Sequence, residues 1–129
     1  MQQVRLAPLV GIVGCLAVLG ALAYPYVAGD GGVGAYYASG VVNPLVAGLL
    51  ALVATIVLAA GREERTDPGF AAGAALVFGL FIVGILLAWG MTARLDTVAV
   101  SQYHRWVTAG VAVLIPAGGL WFARSLGLV

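Results

Sequence analysis

Three residues that could take part in proton transfer lie in one short stretch of the sequence: Asp96, Tyr103 and His104. Histidine changes charge near neutral pH, and a neighbouring carboxylate or phenol can orient it for acid–base work. No nucleophile and no set of metal ligands accompanies this histidine. We therefore expect no active site here, and the sequence predicts a protein that is not an enzyme and needs no cofactor or metal.

Single copies of cysteine and histidine exclude several other kinds of chemistry. One cysteine, Cys15, cannot form an intramolecular disulfide, a multi-cysteine metal site or the Cys-x-x-Cys pair of a disulfide oxidoreductase. One histidine, His104, excludes a haem held by two histidines of the same chain. We expect Cys15 to be a small buried apolar residue, with palmitoylation or redox sensing as the alternatives.

The composition is that of a membrane protein. The 129 residues are 63% hydrophobic and 9% charged, and the mean hydropathy is +1.09. A soluble domain carries about 25% charged residues, so this chain cannot cover a surface that faces water. A net charge of +1 gives no basic field for nucleic acid. The sequence predicts one transmembrane domain over residues 1–129, with the lipid bilayer as its surroundings.

Four apolar runs reach, or come close to, the length of about 20 residues that a helix needs to cross a bilayer. Apolar residues are continuous in these runs instead of alternating, which favours helices over barrel strands. Asp67 and Pro68 are suited to the N-cap and first turn of the third helix. We predict an all-α integral membrane four-helix bundle made of two transmembrane hairpins, with helices at about 6–28, 41–60, 70–91 and 106–123.

Processing of the first run is the alternative to an intact first helix. Ala21-Leu22-Ala23 resembles a signal-peptide cleavage site, and the residues that end at Cys15 resemble a lipobox. The run stays apolar for more than three turns after Cys15, whereas a processed lipoprotein should turn polar. We expect both sequences to lie inside an uncleaved helix.

Small residues predict how the helices pack, because they let backbones approach closely in a membrane. The sharpest stripe lies on the fourth helix, and Pro116 followed by Gly118 and Gly119 predicts a kink there. The other helices carry comparable rows. The predicted stripes are Gly14, Ala17 and Ala21; Ala47, Ala51 and Ala54; Gly69, Gly73 and Gly84, with a parallel row of Ala72, Ala75 and Gly79; and Ala109, Ala112, Pro116, Gly119 and Ala123.

The positive charges predict the orientation. All basic residues are arginines, and they fall on two sides of the membrane: Arg5, Arg62, Arg65 and Arg124 against Arg94 and Arg105. Positively charged loops favour the cytoplasm. We therefore expect a multi-pass protein of the cell membrane with both termini in the cytoplasm.

Polar and aromatic residues gather at the predicted outer end. They form either a recognition surface or an interfacial aromatic belt with loop charges. We also expect Arg105 to pair with Asp30 or Asp96, because a buried unpaired charge is costly. The candidate outer-surface or partner-contact residues are Asp30, Tyr36, Tyr37, Asp96, His104 and Arg105.

The four-helix layout, the arginine-only basic residues and the richness in Ala, Gly and Val resemble small integral membrane proteins of unknown function that are common in halophilic archaea. The resemblance extends over the whole chain but rests on composition and topology, without a diagnostic motif. It implies a four-helix membrane fold and carries over no functional residue.

The helix interiors lack ionisable side chains, which usually mark ion pathways and coupled transport. A multidrug exporter with a membrane-embedded glutamate in its first helix is excluded on this ground. The sequence favours an accessory or structural subunit that packs against itself or a larger membrane complex. The alternative is a small oligomeric transporter or channel.

Overall fold

The computed structural model describes residues 2–28, 37–38, 40–92 and 103–128. These residues form four helical spans, each long and apolar enough to cross a membrane. The all-α prediction is therefore confirmed, with four spans as expected. The helices are α1 (Gln2–Ala28), α2 (Leu45–Arg62), α3 (Pro68–Thr92), α4 (His104–Ala112) and α5 (Leu114–Ser125), and α4 and α5 together make the fourth span.

Successive spans are antiparallel, and each packs mainly against two others. The α1 helix packs on α2 and on the α4–α5 span, and α3 packs on the same two, so α1 and α3 lie diagonally opposite. The starts of α1 and α3 and the ends of α2 and α5 form one end of the bundle, called here the arginine end. The opposite end is called the aromatic end. The arginine end carries Arg5, Arg62, Arg65 and Arg124, and the aromatic end carries Tyr24, Tyr37, Trp89 and His104.

The start of α2 differs from the prediction. We expected a helix from residue 41, but α2 begins at Leu45. Asn43 precedes a proline, which disfavours the helical conformation for it, and its Oδ1 accepts the Leu45 N–H at 2.9 Å. The Val41 N–H donates to Thr92 Oγ1 at 3.0 Å instead of entering a helix. Hydropathy extends through these residues but does not decide where the backbone turns.

The N-cap of α3 is as predicted, although the helix begins at Pro68, two residues before the predicted start at 70. The Phe70 N–H donates to Asp67 Oδ2 at 3.3 Å, and Pro68 is the first helical residue. An aspartate at the N-cap satisfies an N–H that has no partner inside the helix. The short charged turn between α2 and α3 thus ends in a side-chain cap.

The fourth span is interrupted at Val113, a few residues before the predicted position of the kink. Pro116 has no N–H for the carbonyl of Ala112, and its ring crowds that carbonyl. The Val113 N–H donates to Gly110 O at 3.2 Å, and the next helix begins at Leu114. Pro116 therefore interrupts the helix in the turn that precedes it.

The α5 helix lies in the groove between α1 and α3, with backbone against backbone. A Cβ added to Gly118 would lie 2.5 Å from the N atom of Gly11, and one added to Gly119 would lie 2.8 Å from the N atom of Leu76. A Cβ on Gly79 would lie 2.6 Å from the N atom of Pro116. The predicted small face of the fourth span is confirmed: Ala109, Ala112, Gly119 and Ala123 are buried and Pro116 is half-buried.

Only part of the other predicted stripes faces inward. On α3 the parallel row is buried, whereas Gly73 and Gly84 are exposed with nothing near them. The expectation that Gly73 and Gly84 face a neighbour is therefore wrong within the described bundle, because periodicity gives two small rows and the positions of α2 and α5 select one. On α1, Gly14 is buried while Ala17 and Ala21 are half-buried. The buried rows of α2 and α3 are Ala47, Ala51 and Ala54, and Ala72, Ala75 and Gly79.

The outer surface between the two ends is apolar. Large hydrophobic side chains point away from the bundle on every span, which reverses the arrangement of a protein whose surface faces water. A continuous apolar exterior of this kind is typical of helices that face lipid. Examples are Val13, Leu16, Leu49, Leu52, Ile56, Val77, Leu80, Phe81, Val113 and Leu120.

Candidate functional site at the aromatic end

Three aromatic rings from three segments meet at the aromatic end. The ring of Tyr37, from the segment before α2, contacts Trp89 of α3 edge-on, with centroids 5.4 Å apart. Trp89 in turn contacts His104, the first residue of α4, edge-on at 6.2 Å. Tyr37 and Trp89 are fully buried and His104 is 6% exposed. Two of the candidate residues thus lie inside the end of the bundle, joined by a tryptophan that the sequence analysis did not single out.

His104 completes a hydrogen bond that a proline removes from α1. Pro25 has no N–H, so the carbonyl of Ala21, one turn earlier, lacks its donor within the helix. His104 Nε2 lies 2.5 Å from this carbonyl oxygen. A carbonyl can only accept, so Nε2 carries the hydrogen and donates it. The imidazole therefore supplies the donor that Pro25 lacks.

Tyr37 binds the next carbonyl of the same helix turn. Its hydroxyl donates to the carbonyl of Leu22, and its ring also contacts Tyr26 edge-on, with centroids 6.0 Å apart. Further along the same connection, the Val41 N–H donates to Thr92 Oγ1, which itself donates to the carbonyl of Ala88 at 2.7 Å. The described part of the connection between α1 and α2 is therefore attached to both α1 and α3.

Arg105 lies apart from this aromatic cluster. Its Nη1 donates to the carbonyl of Gly90 at 2.9 Å, and its guanidinium lies 4.9 Å above the ring of Trp106. Gly90 belongs to the last turn of α3, where the unpaired carbonyls attract positive charge. Within the described ranges, Nε of Arg105 is buried and makes no hydrogen bond.

Three of the candidate residues lie outside the described residues: Asp30, Tyr36 and Asp96. The pairing of Arg105 with Asp30 or Asp96 therefore stays a prediction. Of the residues that the structure describes, it brings Tyr37 and His104 together around Trp89 and directs Arg105 to α3.

Sequence reasoning missed the two groups that organise this site, Trp89 and the Ala21 carbonyl. Trp89 is not among the candidate residues that the sequence indicates. The signal for the carbonyl was present, because Pro25 inside a predicted helix leaves the oxygen four residues earlier without a donor. The sequence gives no means of choosing His104 as the group that fills that position.

A shallow apolar groove of about 370 Å³ runs beside His104 on the outside of α1 and α4. Tyr24 and Tyr103 flank it, and Tyr24 stacks on the imidazole with centroids 6.0 Å apart. Gly20 leaves open space within it. In the part of the chain that the structure describes, no group of three His, Cys, Asp or Glu side chains could hold a metal ion.

The chemistry available at the aromatic end is hydrogen bonding that holds segments together. The imidazole and the phenol each donate to a backbone carbonyl of α1, and Arg105 donates to one of α3. Deeper in the bundle Cys15 is fully buried, as expected for a small apolar residue.

Comparison with known proteins supplies a family. No curated protein and no solved structure matches the chain. The family described as "Family of unknown function (DUF7548)" matches residues 1–127, nearly the full length. The chain therefore belongs to this family of unknown function, DUF7548.

Proposed function

We propose that the chain is an integral membrane protein with a structural or accessory role, which packs against a second copy of itself or a larger membrane complex and does no catalysis. The observation that carries this proposal is an apolar exterior around an interior filled by backbone contacts. Between the two ends, the described surface is largely apolar, and the hydroxyls of Thr55 and Thr108 donate to carbonyls within the bundle.

The exterior supports insertion into a bilayer. The exposed side chains on all four spans are largely aliphatic or aromatic, and the described arginines cluster at the ends. The arginine end carries four of the six arginines of the sequence, so the positive-inside rule favours a cytoplasmic position for this end and for both termini. The aromatic end would then face outward.

The interior supports a structural role over transport. Gly118 and Gly11 bring α5 and α1 into backbone contact in the middle of the bundle, which leaves no room between them. The hydroxyls of Thr55 and Thr108 donate to carbonyls of their own helices, at 2.8 Å and 2.7 Å. Because these hydroxyls already donate to backbone carbonyls, their hydrogens are not available to bind a solute.

The exposed side of α3 supports contact with another helix. A Cβ added to Gly73 or Gly84 would meet nothing within 4 Å. Each glycine therefore forms a small depression between the larger side chains that are exposed on α3. Small residues at such positions let a neighbouring helix approach closely in lipid. We propose this side of α3 as the contact surface of a homodimer.

Labelling from outside the cell tests insertion and orientation. Single cysteines are introduced at Ala38, exposed at the aromatic end, and at Glu63, exposed at the arginine end, in a chain with Cys15→Ser. A membrane-impermeant maleimide should label the Ala38→Cys variant on intact cells and the Glu63→Cys variant only after permeabilisation. The reverse pattern would overturn the orientation, and labelling of both variants on intact cells would overturn insertion.

Crosslinking tests the contact surface. In the same Cys15→Ser background, Gly84→Cys should form a disulfide-linked dimer in membranes, whereas the control Gly110→Cys, on the outside of α4, should remain monomeric. Equal crosslinking at both positions would mean random collision. Extraction in mild detergent followed by mass spectrometry tests for a larger complex.

The alternative prediction, a small oligomeric transporter or channel, has a direct test. Purified protein is reconstituted in liposomes, and ion and solute flux is compared with that of empty vesicles. Flux that depends on the protein would replace the structural role with a transport role.

A further inference from the structure

A cavity of about 190 Å³ lies at the arginine end, where the starts of α1 and α3 meet the ends of α2 and α5. It has both charged and apolar walls, unlike the groove at the aromatic end. A cavity of this volume has room for a small polar group. The charged walls are Arg5, Arg62, Glu63 and Glu64, and the apolar walls include Val4 and Leu126.

Two of the four charges are already engaged. Arg62 donates from Nε to the carbonyl of Arg5 at 2.9 Å, and its Nη1 lies 3.4 Å from Oε1 of Glu63. Within the described residues, the side chains of Arg5 and Glu64 make no hydrogen bond or ion pair with another side chain. Both are exposed, so a ligand can reach them. The cavity therefore offers one positive and one negative group.

Glu64 occupies a backbone position that glycine would adopt with less strain. It follows the end of α2 with φ at 59°, and the N–H of Arg65 donates to Ala60 O while that of Glu64 donates to Gly61 O. This is a Schellman motif, in which a left-handed residue ends the helix and glycine is usual. A residue with a side chain is strained in that conformation, because its Cβ lies too close to the following carbonyl oxygen.

The neighbouring helix provides a comparison inside the same chain. The α5 helix ends at the same end of the bundle with the same motif, and its left-handed residue is Gly127, with φ at 78°. There the N–H of Leu128 donates to Ala123 O and that of Gly127 to Arg124 O. One helix end thus has the unstrained residue, whereas the end that borders the cavity has a carboxylate.

We propose that this cavity binds a phospholipid headgroup that carries both a phosphate and a primary ammonium, as in phosphatidylethanolamine. The phosphate lies against the guanidinium of Arg5, and the ammonium donates to the carboxylate of Glu64. A purely anionic headgroup would meet the carboxylate of Glu64 with the same sign of charge, which disfavours it. The proposal rests on the proposed membrane insertion, which brings this end of the bundle to the level of the headgroups.

Native mass spectrometry of the full chain tests the headgroup. The protein, in detergent, receives an equimolar mixture of phosphatidylethanolamine and phosphatidylcholine with identical acyl chains. Phosphatidylcholine is also a zwitterion, but its quaternary ammonium has no N–H to donate. We expect preferential retention of phosphatidylethanolamine by roughly fivefold, the effect of one partly exposed charged hydrogen bond. Equal retention of the two lipids would overturn the proposal.

Variants identify the residues that bind. Glu64→Gly removes the carboxylate and relieves the backbone, so it should fold at least as well as the wild type and lose the preference for phosphatidylethanolamine. Arg5→Gln should lower the retention of both lipids. The matched control is Arg124→Gln, an exposed arginine at the same end that does not line the cavity, and it should change neither. A preference that survives in Glu64→Gly would overturn the assignment.

Two further measurements distinguish a bound lipid from a free metabolite, and a missing headgroup site from a failure of membrane insertion. Water-soluble phosphoethanolamine should not displace the bound lipid at equal concentration; if it does, the ligand is a free metabolite of the same chemistry and the lipid assignment is wrong. Flotation with phosphatidylcholine vesicles tests insertion alone. A chain that floats but shows no headgroup preference refutes only the headgroup site, whereas a chain that does not float refutes the proposed function as well.

Discussion

The two ends of the bundle are held by different means. At the aromatic end, rings and buried hydrogen bonds join segments that are far apart in sequence, such as His104 to Ala21 and Tyr37 to Leu22. At the arginine end, the helices stop in local caps, and the described side-chain links include one arginine that reaches across to α1. Tyr37 and His104 at the first end are buried, whereas Arg5, Glu63 and Glu64 at the second are exposed.

This difference determines which polar residues are available to a ligand. A buried donor that is matched to a carbonyl contributes to the fold, and its loss leaves that carbonyl unsatisfied. An exposed charge contributes little to stability, because water and salt screen it. Substitutions at the aromatic end should therefore change stability, and those at the arginine end should change binding.

The largest effect should come from Trp89→Ala at the aromatic end. The side chain is fully buried and contacts both Tyr37 and His104, so its removal leaves a large cavity. Truncation of a buried tryptophan typically costs about 3–5 kcal/mol. Thermal unfolding in detergent measures the loss, with Arg124→Gln at the other end as the comparison. Similar losses for both variants would erase the distinction between the ends.

The next largest loss of stability should come from a substitution between the two ends of the bundle. Gly118→Ala would place a Cβ 2.5 Å from the N atom of Gly11, and backbone atoms cannot move aside as a flexible side chain can. We expect a loss of about 1–3 kcal/mol. Gly110→Ala on the same span meets open space, so it should gain up to about 1 kcal/mol from helix propensity. Effects of the same sign in thermal unfolding would contradict this packing.

The hydrogen bond from His104 can be isolated by its dependence on Pro25. His104→Phe keeps a ring but removes the donor to the Ala21 carbonyl, so it should cost about 1–3 kcal/mol. In a Pro25→Ala background the new N–H can bond that carbonyl within α1, and the cost of His104→Phe should become smaller. A double-mutant cycle read by thermal unfolding measures the coupling. Additive losses would mean that His104 acts only by packing.

The smallest expected effect is a gain in stability from a substitution at the arginine end. Glu64→Gly relieves a left-handed residue at the end of α2, and we expect stability in lipid-free detergent to rise by up to about 1 kcal/mol. The gain is limited because glycine also loses more conformational freedom on folding. A clear loss of stability would show that the carboxylate supports the fold at this end, as the buried groups do at the other.

The sequence predicted the features of this protein that depend on local composition. Continuous apolar runs define four helical spans, and Asp67 before Pro68 defines the start of α3, because hydropathy and capping act within a few residues. The small face of the fourth span is also local, since helical periodicity alone brings Ala112 and Gly119 to one side. The family match covers residues 1–127, while the halophilic archaeal source stays a prediction from composition.

For the candidate site, the sequence named Tyr37, His104 and Arg105 but could not name what they contact. Their partners are Leu22, Ala21 and Gly90, and each lies on another element. The groups that accept the bonds are backbone carbonyls, which every residue possesses, so residue type carries no information about them.

The packing of the four spans determines which helix faces meet and which backbone carbonyls accept hydrogen bonds from side chains. Helical periodicity gives two rows of small residues on α3, and either row could face the bundle. The positions of α2 and α5 determine which row is buried. The fold also decided that the donor missing at Pro25 comes from His104, a residue on another span. The physical reason is that packing and hydrogen-bond satisfaction depend on which backbones come together, and that depends on the arrangement of all four spans at once.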